Sequence, residues 1–208
     1  MRKINKRFLV FFSLPILICI PGQIGYAAEI DRALENDVEV RMTNMETLED
    51  LSKEVKITAI SDKPALETFT TKLGHEYRER TVEAEFSLPD DYGTRASQTG
   101  TSNNGIVTAS VTITYSFSGN QVQVSNCSGN WSKSSSSVFI TNRYVTYRGP
   151  IIQQTGYGYP TTDSFSYNTG FAYATKNTAG NGRGYSSAYT RLSGMGDVFL
   201  EVVAHVPQ

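Results

Sequence analysis

GIVTASVTITYSFSGNQVQVSNC, residues 105–127, alternates apolar residues with Ser and Thr, turns, and resumes the alternation. Val107, Ala109, Val111, Ile113, Tyr115 and Phe117 fall on one face of an extended chain; Thr108, Ser110, Thr112, Thr114 and Ser116 fall on the other. Gly119-Asn120 supplies residues that tolerate positive φ, as a two-residue hairpin turn demands, and the register then sets Phe117 opposite Val122 and Tyr115 opposite Val124. Strict parity would put Cys127 opposite Thr112, on the hydroxyl face, unless a bulge intervenes. Two structures use such a hairpin: a half-buried sheet in a sandwich core, and a membrane-crossing β-hairpin. A crossing strand needs about 9–11 residues. The first arm is long enough, but the second reads as ending near Asn126-Cys127, before a Ser-Gly-Asn turn. The same one-sided alternation returns in Val198, Leu200, Val202, Ala204 and Val206. It therefore reads as a property of the fold, and no stable membrane insertion is expected.

The remaining chain fits the same architecture. Val82, Ala84, Phe86 and Leu88 alternate after Tyr77, as do Val55, Ile57 and Ala59, with turns read at Asp62-Lys63-Pro64 and Leu73-Gly74-His75. Further strands are predicted around 138–140, 144–147, 163–175, 185–192 and 198–206. Thr43-Asn44-Met45-Glu46 matches a capping box, and Met45, Leu48, Leu51 and Val55 recur at helical spacing, which predicts one short N-terminal helix. Short strands punctuated by Gly, Pro, Asn and Ser, without a long helix, predict an all-β fold, an antiparallel Ig-like or similar sandwich.

The N-terminus has the build of a secretory leader. Arg2, Lys3, Lys6 and Arg7 precede an apolar run, Phe8 to Ile20, and Gly25-Tyr26-Ala27 offers a small-x-small cleavage site. Residues 1–27 are read as a signal peptide, 28–42 as a mobile acidic lead-in, and 43–208 as a single sandwich domain with a flexible loop at 89–105. Release to the exterior follows. Cys127 is the one cysteine beyond the leader, so no internal disulfide is available and the fold must rest on its core. From Ala28 to Arg95 there are 17 acidic and 9 basic side chains, net −8; from Ala96 onward 3 acidic and 6 basic, net +3. The C-terminal excess is too slight for a nucleic-acid partner.

Several stretches carry a family resemblance: Thr81-Val82-Glu83-Ala84-Glu85, Thr94-Arg95-Ala96-Ser97, the Val107 to Tyr115 strand, Gly129-Asn130-Trp131, and Ser164 to Phe171. In their order these resemble uncharacterised small secreted β-rich proteins of Gram-positive bacteria. The resemblance implies one domain over about residues 50–208 and carries no activity, cofactor or site residue with it.

Chemistry-bearing residues are sparse. His75 and His205, the histidines of the chain, lie in no metal-ligating or catalytic spacing. Cys127 has no flanking nucleophile motif. Gly180-Asn181-Gly182-Arg183-Gly184 lacks the Lys and Ser/Thr of a phosphate loop and reads as a hairpin turn. Glycosidases use paired carboxylates, but after Ala96 there are only Asp163, Asp197 and Glu201. Asp90-Asp91 do not supply the six or more oxygen ligands of a Ca²⁺ site. No catalytic residue, cofactor or metal is assigned. Aromatics stand out instead: nine of the twelve tyrosines follow Ala96. Tyrosine offers an apolar ring face and a hydroxyl, suited to sugar rings or a protein surface. Trp131, Tyr157, Tyr159, Tyr167 and Tyr173 are taken as the candidate ligand surface, around Gly156-Tyr157-Gly158-Tyr159-Pro160. The expected function is that of a secreted, noncatalytic β-sandwich protein that binds a cell-wall glycan or an envelope protein. A second reading makes it a secreted toxin or bacteriocin-like effector whose acidic N-terminal part is a pro-segment.

Overall fold

Alternation of the kind seen in residues 105–117 buries one face of a strand, and two such faces must meet for either to leave water. A computed structural model describes residues 38–65, 76–88, 105–176 and 181–208, and in it two antiparallel sheets pack face to face. The strands are β1 (Val38–Asn44), β2 (Val55–Pro64), β3 (Tyr77–Leu88), β4 (Gly105–Ser118), β5 (Gln121–Lys133), β6 (Val138–Arg148), β7 (Thr155–Gly158), β8 (Ser164–Asn168), β9 (Ala174–Thr175), β10 (Arg183–Leu192) and β11 (Val198–His205). One sheet runs β1-β11-β10-β6-β7; the other runs β2-β3-β4-β5-β8, with β9 also on β5. The all-β sandwich expected from the sequence is the fold.

The core is built by the residues whose parity announced it. Val82, Ala84 and Phe86 from β3, Val107, Val111 and Ile113 from β4, and Leu200, Val202 and Ala204 from β11 are fully enclosed. Strands β10 and β11 lie across β3 and β4. At Gly184 the approach is so close that a Cβ would sit 2.6 Å from Ile113 and 2.9 Å from the Cys127 sulfur, which is why a side chain is absent there. Trp131 is inside this core, 1% exposed, and its Nε1–H donates to the Ser186 hydroxyl at 3.0 Å. Without that partner the indole N–H would be a buried, unsatisfied donor.

The opening hairpin has the expected turn and register, with Phe117 opposite Val122 and Tyr115 opposite Val124. Two details differ. The second arm runs 13 residues, through the Ser-Gly-Asn segment to Lys133. Strand length thus does not separate a core hairpin from a membrane one; in this structure the apolar face of β4 and β5 is buried against the facing sheet. A β-bulge at Thr114/Tyr115 leaves Ser125 as the extra residue, and beyond it the parity of β5 reverses. Cys127 therefore faces inward opposite Ile113, fully buried, and not outward opposite Thr112.

Other expectations need correction. There is no helix at 43–55. Asn44 accepts from the backbone N–H of Glu46 (2.8 Å) and Thr47 (3.1 Å), as a capping residue would, but Leu48 takes φ 60° and the chain doubles back. Thr43 then bridges Asp50, leaving a single 3₁₀ turn at Ser52–Glu54. The lead-in does not extend to residue 42, because Val38–Asn44 is an edge strand on β11 with Met42 buried. Asp62-Lys63-Pro64 is the end of β2, paired with β3, and not a turn. The predicted segments 138–140 and 144–147 are one strand. The glycines at 182–184 close no hairpin, since β9 before them belongs to the opposite sheet from β10. The leader, residues 28–37, the 89–104 segment with Asp90-Asp91, and His75 lie outside the described residues.

Candidate functional site

The two outer faces of the sandwich differ in chemistry. On the β3-β4-β5-β8 sheet the outward residues of β4, β5 and β8 are mainly hydroxyls and amides that bond one another across strands, while β3 adds Glu79, Glu83 and Glu85 in register with Thr114, Ser110 and Thr108. Thr81 and Thr112 hydroxyls are 2.8 Å apart, Ser164 donates to Asn130 at 2.8 Å, and Asn126 donates to Ser166 and Asn168, each at 3.1 Å. Such cross-strand pairs stabilise a solvated sheet and answer why the hairpin carries hydroxyls on one side.

The outer face of the other sheet is aromatic. Antiparallel register sets Thr43, Phe199, Tyr189 and Thr141 in one row and Glu39, Val203, Tyr185, Thr146 and Tyr157 in another. Tyr144 lies between them, with its ring centroid 6.2 Å from Tyr185 and 5.3 Å from Tyr159; Tyr159 is 6.2 Å from Tyr157. A continuous strip of four tyrosines thus crosses β10, β6 and β7, two strand spacings or about 10 Å. Tyr157 and Tyr159 are 67% and 70% exposed. Large apolar rings left this open on a sheet edge are the informative exception to burial. At the inner end the Tyr185 hydroxyl donates to Glu201 at 2.6 Å, and Arg41 faces the same carboxylate at 3.6 Å. Burial first, then the Glu201 bond, holds the Tyr185 phenol above its usual pKa, so it stays a donor. Beside it is a groove of about 580 Å³ lined by β1, Arg183, Tyr185, Glu201 and Val203.

Of the residues picked from sequence, the structure brings Tyr157 and Tyr159 together on this strip. Trp131 is corrected to a core residue. Tyr167 stacks on Tyr147 at 5.6 Å and neighbours Phe165 at 6.1 Å, closing the side of the sandwich between β7 and β8. Gly156 and Gly158 lie flat against the Tyr147 and Tyr167 rings. Tyr173 is on the far sheet, its hydroxyl 2.6 Å from that of Ser116. Tyr144, which sequence reasoning did not select, is the ring that joins the strip; Tyr185, likewise not among the selected residues, is its inner end. Parity marks Tyr185 as outward, but in β6 a bulge opposite the Ser187 to Tyr189 segment reverses the parity set by Val138 and Ile140, so only the structure turns Tyr144 outward, and only the β10–β6 and β6–β7 pairings bring the two rings beside Tyr159.

Cys127 is an unpromising nucleophile, because burial pushes its thiol up to about 12. His205 faces Glu39 at 3.3 Å across β1 and β11. Among the described residues no cluster of His, Cys, Asp or Glu could hold a metal ion, and no helix is long and apolar enough to cross a membrane. Fold and face together define an all-β sandwich with one outer surface of hydroxyls, amides and the β3 glutamates and one aromatic outer surface. No family model, curated protein or solved structure matches the chain.

Proposed function

We propose that this is a secreted, noncatalytic binding protein that holds a glycan of the cell envelope on its aromatic outer face. The observation that carries the reading is the tyrosine strip Tyr185, Tyr144, Tyr159, Tyr157, whose two outermost rings are open to solvent. Sugar rings present flat C–H faces and a rim of hydroxyls, and tyrosine matches both with its ring and its phenol. Two of the three acids of this half are already engaged: Glu201 by Tyr185 and Arg41, and Asp163 by Arg143. Neither is left as a poised general acid beside a second carboxylate.

The test is retention on insoluble envelope polysaccharide. Aromatic contacts contribute about 0.5–1.5 kcal/mol each, so Tyr157→Ala/Tyr159→Ala should weaken binding about tenfold or more. Tyr173→Phe, on the opposite sheet, should bind as the parent does. Equal retention of parent and double variant would end the glycan-strip reading, and retention on envelope protein alone would replace it with protein docking.

A further inference from the structure

One row of the aromatic face carries two arginines that no carboxylate among the described residues pairs. On adjacent strands β10 and β6, Arg183 stands directly opposite Arg148, with His205 of β11 on its other side. Like charges directly opposite one another destabilise a sheet. The carboxylates of this face are engaged elsewhere: Glu201 by the Tyr185 hydroxyl and Arg41, Glu39 by His205. Among the described residues neither Arg148 nor Arg183 has a carboxylate in ion-pair range, and the Arg183 Nε is shielded from solvent with no hydrogen-bond partner. Arg183 also lines the groove beside Tyr185, the inner end of the tyrosine strip.

We infer that Arg148 and Arg183 form an anion subsite at the end of the tyrosine strip, so that the ligand is an acidic glycan, a chain of sugar or polyol units bearing carboxylate or phosphodiester groups. This rests on the glycan-binding reading and narrows it. Two arginines paired in register on one face of the sheet offer guanidinium forks of N–H donors matched to the oxygens of either anion. An anion there supplies the missing countercharge and a partner for the Arg183 Nε–H, while neighbouring rings of the ligand lie on Tyr185 and Tyr144. Cationic groups next to stacking surfaces discriminate by charge, and a half-buried pair of this kind is still partly screened by salt.

The experiment measures affinity of the purified protein, by calorimetry at about 0.15 M salt, for three soluble probes: an oligogalacturonate, a glycerol-phosphate polymer and a neutral chitooligosaccharide. At least one acidic probe should bind about tenfold more tightly than the neutral one, and the advantage should shrink as salt rises. The uronate and phosphate arms tell which anion the subsite prefers. Arg148→Gln/Arg183→Gln should bring acidic affinity down to the neutral level and leave neutral binding unchanged. Arg148→Lys/Arg183→Lys, which keeps charge without the forks, should retain part of the preference. Equal affinity of the parent for acidic and neutral probes overturns the subsite while sparing the strip, as does a preference that survives the Gln substitutions. Acidic binding that needs the arginines but ignores Tyr157→Ala/Tyr159→Ala sinks the strip and leaves the subsite. Absence of binding to all three overturns both. If the Gln variant does not fold, the parent's preference and its salt dependence decide.

Discussion

Ile113 and Thr112 are chain neighbours with opposite fates. Ile113 is fully enclosed against Cys127 and Gly184, whereas the Thr112 hydroxyl bonds Thr81 on the solvated face. Ile113→Lys removes a packed side chain and buries an ammonium, a loss of roughly 3–5 kcal/mol or more. Thr112→Lys gives up one exposed hydroxyl pair and keeps its charge in water, roughly 1 kcal/mol or less. At about 2–4 °C per kcal/mol for a domain of this size, thermal melts should separate the two by about 4–16 °C. Neither the parent nor either variant should release dye from liposomes; release by the parent would mean the hairpin has a membrane role. Cys127 sets a pH response. Its thiol is raised from 9.0 to about 12 by burial, so the unfolded chain loses this proton before the folded one does. The contribution is complete below about pH 9 and is lost as pH rises toward 12, at up to about 1.4 kcal/mol per pH unit. Tyr115 and Tyr185, raised mainly by burial and then by Asp62 and Glu201, act in the same direction at higher pH. Melting temperature should therefore fall more steeply between pH 9 and about 10 in the parent than in Cys127→Ala; parallel slopes would count against this account.

Among the elements, β7 carries the exposed end of the candidate site. It is a four-residue edge strand, held on one side by β6 and underneath by the stack of Tyr147 on Tyr167. Gly158 lets the strand rest on the Tyr167 ring; a Cβ there would collide with that ring. Gly158→Ala must move either the ring or the strand, at roughly 1–3 kcal/mol. The variant should melt several degrees lower and also lose glycan affinity, because Tyr157 and Tyr159 move with the strand. An unchanged melt with full binding would show that β7 does not position these rings. The missed helix at 43–55 belongs to this scale too. A capping motif and apolar spacing were both present, but the same Asn44 contacts suit a tight turn, and docking of β1 on β11 decided for the turn.

For the molecule as a whole, the acidic N-terminal part is built into both sheets. β1 edges one sheet, while β2 and β3 complete the other beside β4. Val82, Ala84, Phe86 and Leu88 are core residues. Full burial of a Val, Phe or Leu side chain contributes roughly 1.5–3 kcal/mol, so β3 alone supplies an amount comparable with the net stability of a domain, about 5–15 kcal/mol. Cleavage engineered between Arg95 and Ala96 should leave the two pieces associated on size exclusion, and residues 96–208 alone should not melt cooperatively. A fragment as stable as the uncut chain would restore the pro-segment reading.

Strand parity, the Gly119-Asn120 turn, the hairpin register and the all-β class were legible because a period-two pattern states directly which face of a strand leaves water. Tyr157 and Tyr159 were legible as candidate surface because the Gly156-Tyr157-Gly158-Tyr159-Pro160 run sets two rings suited to stacking in a turn-rich segment. What only the tertiary structure decided depends on contacts between distant segments. The bulge at Ser125 turned Cys127 inward, Ser186 received Trp131 from 55 positions away, and β10 pairing with β6 set Tyr185 beside Tyr144 and Arg183 opposite Arg148. A local pattern tells a residue which way to face; strand order tells it what it will face.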